Sequence, residues 1–422
     1  MVRLMETNFG KIPVHWEIST IEKETEFVTD YVANGSFASL AENVNYKTEP
    51  DYAVLIRLTD YNNNFKGNFV YVDKHAYDFL GKSRLLGGEI IISNVGAYAG
   101  TVFFAPKLNI PMTLGPNSIM LNFKNGNDFF YYWLKSPFGK YSLDSLITGS
   151  AQPKFNKTSF RKMSIPVPPL DEQKKIANIL SSLDDKIELN NKINDNLEKQ
   201  TQAIFKSWFA DFEPFQNGEF ADSELGMIPK GWKVGKFTEI IYVLGGGTPN
   251  TQNELYWNGT IPFFTPKDAT DSFFTLSTEK YITNEGLNKC NSKLYPKFTV
   301  FVTARGTVGK VAIAGKNMAM NQSCYALIGK GSYEQFFVYC FTIKAINNLI
   351  NKANGAVFSA LVTRDFDSEY VVIPPSDIAN EFNKTVSPIF NMMLMNTDQN
   401  RILMETRDSL LPRLMNGDIK VK

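Results

Sequence analysis

Two glycine-containing stretches come close to phosphate-binding motifs, and each lacks a part that the chemistry requires. Residues 80–83 read Leu-Gly-Lys-Ser, like the end of a P-loop, but Ala76 occupies the position where that loop needs its first glycine. Residues 245–249 read Gly-Gly-Gly-Thr-Pro, without the GxGxxG spacing of a dinucleotide-binding turn. We therefore predict a tight turn, rather than a nucleotide site, at the second stretch.

The side chains that usually perform catalysis are few and scattered. His15 and His75 have no cysteine or carboxylate at metal-ligand spacing, and Cys290, Cys324 and Cys340 lack CxxC spacing. No Ser/His/Asp or Cys/His set stands out, and no acidic cluster suits two metal ions. The sequence predicts no catalytic residue, no metal ligand and no cofactor site in this chain.

Polar and basic residues instead recur on or beside predicted turns. Lysine and arginine can contact phosphates and guanine, and asparagine and glutamine can pair with adenine. A single lysine or arginine is more often a solvated surface residue, so the prediction of DNA binding depends on the whole set. A net charge of +1 argues against indiscriminate binding to polyanions. The candidates are Arg57, Lys66, Lys74, Lys82, Arg84, Asn94, Tyr98, Lys154, Lys157 and Arg161 in the first half, and Lys267, Arg305, Thr307, Lys310, Asn321, Gln322 and Arg364 in the second.

The two halves of the chain repeat one pattern of strands, turns and prolines. A Gly-x-Ile-Pro opening with a nearby tryptophan occurs at 10–16 and again at 226–232. A strand, a glycine turn and a second strand follow at 87–106 and at 295–315, and helices are expected at 128–146 and 333–352. The strand patterns of the two halves are similar, whereas the polar residues at their turns differ. We predict two similar mixed α/β domains that recognise two different short DNA sequences.

A long helix follows each predicted domain. Residues 170–209 contain neither glycine nor proline, and apolar residues recur at alternating three- and four-residue steps, which is typical of a coiled-coil seam. The same pattern returns in the C-terminal tail. Two unrelated amphipathic helices would be the alternative, but the polar interruptions of the seam also repeat. We predict an antiparallel pair whose register is fixed by Asn190, Asn194, Asn396 and Asn400. Pro388 and Pro412 interrupt the second helix, which is expected to kink or to start late.

The predicted fold class is α+β, a pseudo-twofold internal repeat in which two mixed α/β domains are separated by the two antiparallel helices of an intramolecular coiled coil. The predicted boundaries are residues 1–169 for the first domain, 170–213 for the central helix, 214–375 for the second domain with a linker at 214–225, and 376–422 for the C-terminal helix. Forty helical residues span about 60 Å. This length suits two DNA contacts about one duplex turn, or about 34–36 Å, apart.

The motifs resemble those of the specificity subunit of type I restriction-modification systems. The resemblance covers nearly the whole chain and rests on GKIPVHW and GMIPKGW, on GGGTP, on TARGTVGKVAIA, and above all on IPVPPLDEQKKIANILSSLDDKI at the start of the first long helix. The second helix departs from this pattern, since its start, IPPSDIANEF, has no counterpart of Glu172 and Gln173.

The resemblance implies two target-recognition domains that each read one half of an interrupted site in double-stranded DNA. It implies a non-catalytic chain that assembles with two methyltransferase subunits and with restriction subunits. S-adenosylmethionine, ATP and magnesium would then belong to those partners. The exposed faces of the helices are the candidate docking surface for the methyltransferase subunits, with Lys174, Lys175, Glu188, Lys192 and Lys199 as the candidate residues.

Two other functions stay open from the sequence alone. A self-contained restriction and methylation enzyme would need a methyltransferase motif or a metal-binding carboxylate site, and neither is visible. A scaffold that binds only proteins would need no DNA contact. No apolar run reaches the roughly 18 to 20 residues of a membrane helix, and no signal peptide stands out, so we expect a cytoplasmic protein without membrane contact.

Overall fold

The computed structural model describes residues 3–270, 272–352 and 360–421. The chain forms two compact units. The first consists of Met1–Asp185 and Leu403–Lys422, and the second of Lys186–Ile402. Each long helix contributes one part to each unit.

The first unit is built from short strands and short helices. Its strands are β1 (Leu4–Thr7), β2 (Gly10–Pro13), β3 (Glu17–Thr20), β4 (Thr25–Asp30), β5 (Ala53–Ile56), β6 (Val70–Val72), β7 (Arg84–Leu85), β8 (Ile90–Ser93), β9 (Val102–Phe104), β10 (Met112–Leu114), β11 (Ser118–Phe123) and β12 (Ser164–Val167). Its helices are α1 (Ile21–Glu24), α2 (Phe37–Asn43), α3 (Leu58–Asn62), α4 (Lys74–Phe79), α5 (Asp128–Lys135), α6 (Pro137–Asp144) and α7 (Lys157–Arg161).

The central sheet of the first unit is antiparallel, in the order β4-β11-β8-β9. Successive side chains of a strand point to opposite faces. Ile90 and Ile92 accordingly join one hydrophobic core, while Ile91 joins another, in which it packs with Phe103 and Met120. The continuous apolar run of β8 therefore reflects a strand that is covered on both faces. The second face packs against a smaller sheet in the order β6-β5-β10-β7.

The predicted helix at 128–146 is wrong as a single element, because α5 and α6 are separate helices. Proline has no backbone N–H to continue a helix and is favoured in the first helical turn. Pro137 starts α6, and the Ser136 side chain caps it by accepting from the backbone N–H of Gly139 at 3.3 Å. The sequence Lys-Ser-Pro thus ends one helix and begins the next.

The long helix α8 (Leu170–Phe209) leads into the second unit. The strands of that unit are β13 (Phe220–Ala221), β14 (Ile228–Pro229), β15 (Lys233–Lys236), β16 (Ile241–Gly245), β17 (Trp257–Phe264), β18 (Phe274–Thr275), β19 (Lys280–Ile282), β20 (Val300–Thr303), β21 (Val311–Ala314), β22 (Ala319–Met320), β23 (Cys324–Gly329) and β24 (Tyr370–Ile373). Its helices are α9 (Asn284–Asn288), α10 (Gln335–Lys352) and α11 (Thr363–Ser368), and the chain continues into α12 (Ser376–Met415).

Sheet topology confirms the internal repeat. The order β16-β23-β20-β21-β18 corresponds to β4-β11-β8-β9 with one added edge strand, and β19-β17-β22 corresponds to β6-β5-β10. The pairs β15–β24 and β13–β14 likewise correspond to β3–β12 and β1–β2. Because β13 lies within 214–225, the end of the predicted linker belongs to a strand pair.

The expected late start of the second long helix is wrong. Helix α12 is continuous over 40 residues from Ser376. Pro388 lies on an exposed face, as does Lys384, whose carbonyl loses its helical donor and can bond to water. Phe382, Val386 and Phe390 are completely buried on the opposite face. Burying such side chains contributes roughly 1.5–3 kcal/mol each, so the three together outweigh the cost of about 3 kcal/mol for an internal proline.

The two long helices are antiparallel, as predicted. Within the second unit, Asn190 and Asn194 of α8 hydrogen-bond to Asn400 and Asn396 of α12. Higher numbers on one helix thus face lower numbers on the other. Within the described residues, no helix is both long enough and apolar enough to cross a membrane.

Candidate nucleic-acid interface

Three segments of the first unit meet beside the end of β4. They are the residues after β4, the turn between β8 and β9, and the turn before β11. The backbone N–H of Asn94 donates to the carbonyl of Asn117 at 3.0 Å, and the N–H of Gly96 donates to the carbonyl of Pro153 at 2.8 Å. These bonds hold the β8–β9 turn against the turn before β11 and against the chain that carries Lys154.

A cavity of about 500 Å³ lies among these segments. Tyr31, Phe37 and Tyr46 contribute aromatic walls, and Asn94 and Asn117 contribute amides. The hydroxyl of Tyr46 donates to that of Tyr31 at 3.1 Å, and burial raises the pKa of Tyr31, so this phenol stays neutral. Phe37 is 83% exposed. An aromatic surface with amides at its edge can contact nucleobases by stacking and by hydrogen bonding.

The second unit brings the corresponding segments together. The Ala304 N–H at the β20–β21 turn donates to the carbonyl of Ser323 at 2.8 Å, and the Gly247 N–H donates to the carbonyl of Met320 at 3.1 Å. The Thr248 hydroxyl donates to Oε1 of Gln322. The turn before β23 is therefore held from one side by the β20–β21 turn and from the other by the glycine-rich loop.

Two of the three consecutive glycines, Gly246 and Gly247, have a packing role. A Cβ atom on Gly246 would lie 2.2 Å from the carbonyl oxygen of Asn321, and one on Gly247 would lie 2.7 Å from the backbone nitrogen of Asn291. Such distances exclude any side chain. The prediction of a tight turn at 245–249 is wrong, because β16 ends at Gly245 and the residues that follow it up to 249 form no turn. The backbone of Gly246 instead lies directly against the turn that carries Gln322.

These contacts place some of the sequence-based DNA-binding candidates in two clusters. In the first unit Asn94, Tyr98 and Lys154 lie on the contacting segments, and Tyr98 is 67% exposed. In the second unit the candidates of the cluster lie on the β20–β21 turn and on the turn before β23. They are Arg305, Thr307, Lys310, Asn321 and Gln322.

Several other candidates already have partners within the protein. Arg57 donates to the Asp60 carboxylate through Nη2 at 2.8 Å and through Nε at 3.1 Å. Asp78 pairs with Lys74 at 2.6 Å and with Arg84 at 3.0 Å, and its hydrogen bond is the main cause that raises the pKa of Lys74. These ion pairs stabilise local structure and would have to be shared or broken for a DNA contact.

Three of the remaining candidates contact identified partners. Lys157 pairs with Asp30 at 2.9 Å, and Arg161 donates to the carbonyl of Val28 at 2.6 Å. Lys267 lies 3.7 Å from the Glu279 carboxylate. Lys66, Lys82, Lys267 and Arg364 lie at exposed positions.

The turn before β11 carries a residue that the sequence did not single out. Asn117 is exposed, has a φ of 64°, and its side chain has no hydrogen-bond partner within the described part of the chain. Asn94, which the sequence did single out, donates from Nδ2 to the carbonyl of Phe155 at 3.2 Å. Aligning the turns before β11 and β23 would have drawn Asn117 into the candidate set, because Asn321 and Gln322 lie in the corresponding turn of the repeat.

The four predicted register residues form an amide network inside the helix pair. Asn190 Nδ2 lies 2.8 Å from Asn400 Oδ1, and Asn396 Nδ2 lies 2.9 Å from Asn194 Oδ1. Asn400 also donates to Asn191 Oδ1 at 2.8 Å. Amides at seam positions favour one register, because a shift would leave buried amides without partners.

The predicted docking residues lie on exposed positions of α8. Lys192 and Glu188 pair with each other at 2.5 Å, and Lys174, Lys175 and Lys199 are exposed. The predicted docking residues did not include the apolar side chains on the outer faces of the helices. In the second unit these are Leu189, Met392, Met395 and Ile402, which are each about half exposed or more.

Two of the most distinctive motifs contact each other in the first unit. Trp16 Nε1 donates to Glu172 Oε2 at 3.1 Å, and His15 Nε2 lies 3.0 Å from the same oxygen. The buried Gln173 donates to the carbonyl of Pro168 at 2.8 Å. The His-Trp motif and the Glu-Gln motif therefore fasten the start of α8 to the first unit.

Comparisons with known proteins agree with this architecture. The chain matches the family model described as "Type I restriction modification DNA specificity domain" twice, over residues 24–199 and 229–404. It is 28% identical to the type I restriction enzyme MjaIX specificity subunit of Methanocaldococcus jannaschii, over 99% of this chain and 96% of that protein. It is 26% identical to the HindI specificity subunit of Haemophilus influenzae, over 63% of this chain and 71% of that protein.

A solved structure has the same fold. The crystal structure of the S subunit of a type I restriction-modification system from M. genitalium superimposes with a TM-score of 0.56 at 15% sequence identity. The match covers 94% of this chain and 96% of that one.

Proposed function

The chain belongs to the family of type I restriction modification DNA specificity domains, and on that basis we propose that it is the DNA sequence-recognition subunit of a type I restriction-modification complex. The single observation that carries this proposal is the presence of two specificity domains. Each contains its own cluster of polar turns around the end of the first strand of its central sheet.

Each unit would read one half of an interrupted DNA site. The two clusters share a backbone frame but differ in their side chains. The turns that carry Asn94, Tyr98 and Asn117 in the first unit correspond to the turns that carry Arg305, Thr307 and Gln322 in the second. Different donors and acceptors recognise different base edges in the major groove. The site should therefore be bipartite, with unlike halves.

The helix pair would set the distance between the half-sites and bind the methyltransferase subunits. The amide network around Asn190 and Asn400 supports a fixed register. The exposed lysines of α8 offer charged contacts, and Met392, Met395 and Leu189 add apolar surface of the kind that protein interfaces bury. A fixed register would keep the unread gap constant.

Catalysis would take place in the partner subunits, and S-adenosylmethionine, ATP and magnesium would bind there. Within the described residues, no group of three or more His, Cys, Asp or Glu side chains could hold a metal ion. The buried Cys324 and Cys340 have a raised pKa because of burial, which disfavours the reactive thiolate. The roles of this chain would then be to recognise the DNA sequence and to assemble the complex.

The proposal is tested by copurifying the full chain with its methyltransferase subunits and measuring DNA binding as the salt concentration rises. A sequence reader should bind one double-stranded site specifically, and its affinity should fall steeply with salt because phosphate contacts release counterions. A scaffold that binds only proteins would show no such binding. Methylation or cleavage by the isolated chain would instead support a self-contained enzyme.

A further inference from the structure

In each unit, the turn before one strand of the central sheet carries an exposed side-chain amide. This strand is β11 in the first unit and β23 in the second. Asn117 immediately precedes β11, and Gln322 lies two residues before β23. Resting on the proposed function, we propose that Asn117 and Gln322 are the adenine-reading side chains of the two units, and that Thr248 is a positioning residue for Gln322.

The hydrogen bonds of Gln322 leave it able to contact adenine with both ends of its amide. Oε1 accepts from the Thr248 hydroxyl, and an amide oxygen has a second lone pair. Nε2 has no hydrogen-bond partner among residues 3–270, 272–352 and 360–421. In the major groove, adenine offers a donor at N6 and an acceptor at N7, which match the free lone pair of Oε1 and the N–H of Nε2.

The surroundings of Gln322 hold its backbone in place. The backbone of Gly246 packs against the carbonyl of Asn321, at a distance that admits no Cβ. The Oδ1 atom of Asn321 accepts from the backbone N–H of Ser323 at 3.0 Å, so this neighbouring amide is used within the turn. A side chain held before DNA arrives loses less conformational freedom on binding, which favours affinity and discrimination.

Asn117 occupies the corresponding turn of the first unit and is also available. Its φ of 64° lies in the left-handed region, which asparagine adopts more readily than most residues. Its carbonyl accepts from the N–H of Asn94, so the backbone is anchored while the side-chain amide has no partner within the described chain. The cavity of about 500 Å³ beside it gives room for a base edge to approach.

The experiment uses the full chain in complex with its methyltransferase subunits and a plasmid library in which the half-sites are randomised. Gln322→Ala should reduce the preference for an A·T pair at one position of one half-site by about 10- to 100-fold. Asn117→Ala should do the same at one position of the other half-site. Thr248→Val keeps the shape of the side chain but removes the donor, and should cause a smaller loss at the position affected by Gln322→Ala.

Asn288→Ala is the matched control, because this exposed amide lies on α9, outside the turn cluster. Gln322→Glu is a second variant that still offers an acceptor to Thr248 but cannot donate to adenine N7, so it should also lose the preference. If Gln322→Ala does not assemble with the methyltransferase subunits, Gln322→Glu provides the test of the adenine-reading role. An unchanged preference in the Gln322 variants and in Asn117→Ala would overturn the inference, as would a loss confined to a G·C position.

The failure of the inference differs from the failure of the proposed function. If the unaltered chain directs methylation to a bipartite site and the variants direct it to the same site equally well, only the adenine-reading role is wrong. If the unaltered chain directs no site-specific methylation at all, the proposed function is wrong.

Discussion

Asn190 donates from Nδ2 to Oδ1 of Asn400 at 2.8 Å, and Asn190 has no exposed surface. A second acceptor, Gln399 Oε1, lies at the same distance, while Asn190 Oδ1 has no partner in the described structure. A seam of leucines would pack well in several registers, whereas an amide pair is satisfied in one. The network therefore sacrifices some stability for a defined alignment of the helices.

Replacing one member of this pair should cost stability. Asn400→Leu removes the acceptor of Asn190 and leaves a buried donor with fewer partners, so we expect a loss of about 1–3 kcal/mol in the free energy of unfolding. Urea denaturation of the full chain measures it. The exposed Asn196→Leu is the control and should be nearly neutral. The double variant Asn190→Leu with Asn400→Leu should recover much of the loss, and a single variant as stable as the double would contradict this account.

Adjacent glycines in one motif should respond very differently to alanine. A Cβ on Gly246 would lie 2.2 Å from the Asn321 carbonyl oxygen, whereas one on Gly245 meets no atom within 4 Å. Gly246→Ala should therefore displace the turn before β23 and reduce the free energy of unfolding by about 1–3 kcal/mol. It should also weaken discrimination in one half-site. Gly245→Ala is the control, and equal effects of the two substitutions would contradict the packing role.

Lys344 should make stability depend on alkaline pH. Burial lowers its pKa, and the nearby Glu369 carboxylate only partly opposes that shift. At a pH below the pKa of Lys344 in the folded protein, its partly buried positive charge lowers the free energy of unfolding by the full amount. As the pH rises toward the ordinary value of 10.5, the unfolded chain binds more protons than the folded one, so the contribution of Lys344 to stability increases. Lys344→Met should therefore be stabilising near neutral pH.

The pH dependence of that gain is the decisive observation. Denaturant unfolding of Lys344→Met and of the unaltered chain should show a difference in stability at about pH 7 that shrinks by about pH 11. The exposed Lys289→Met is the control and should show no such trend. A difference that stays constant over this range would mean that the effect of Lys344→Met comes from packing alone.

Much of the fold could be predicted because it depends on local patterns. The repeated Gly-x-Ile-Pro openings, the strand-turn-strand segments and the seam positions of α8 all formed the expected elements. The break at Ser136 and the continuity of α12 through Pro388 were predicted wrongly. At Pro137 the Ser136 side chain caps a new helix, in which the proline occupies the favoured first turn. At Pro388 the helix instead continues past the proline over the buried Val386 and Phe390, and the sequence alone does not reveal which of the two outcomes occurs.

The candidate site was harder to predict than the fold. Arg57 and Asn94 have the right chemistry for DNA, but Asp60 and the carbonyl of Phe155 already bind their side chains. Neither Asn117 nor Thr248 was among the predicted DNA contacts, because their significance comes from which turns and loops meet in space. A list of residue types cannot distinguish a free amide from one that is used within the fold.

Lengthening the helix pair should change the unread gap without changing the bases read. Four inserted residues add about 6 Å and slightly more than one turn, so the apolar seam keeps its phase. Inserting four residues into α8 and four into α12 at facing positions should widen the gap by about two base pairs, at about 3.4 Å per base pair. A two-residue insertion turns the seam by about 200° and should prevent folding. Altered half-sites in the four-residue variant would show that the helices do more than set distance.

The central claim is that this chain chooses the DNA sequence on which its partners act. The most direct measurement is a genome-wide map of methylated adenines in host cells that express the methyltransferase subunits with or without this chain. We expect methylation only in the presence of the chain, at one motif with two unlike half-sites and a constant gap. Methylation without the chain, or at a continuous palindromic motif, would contradict it.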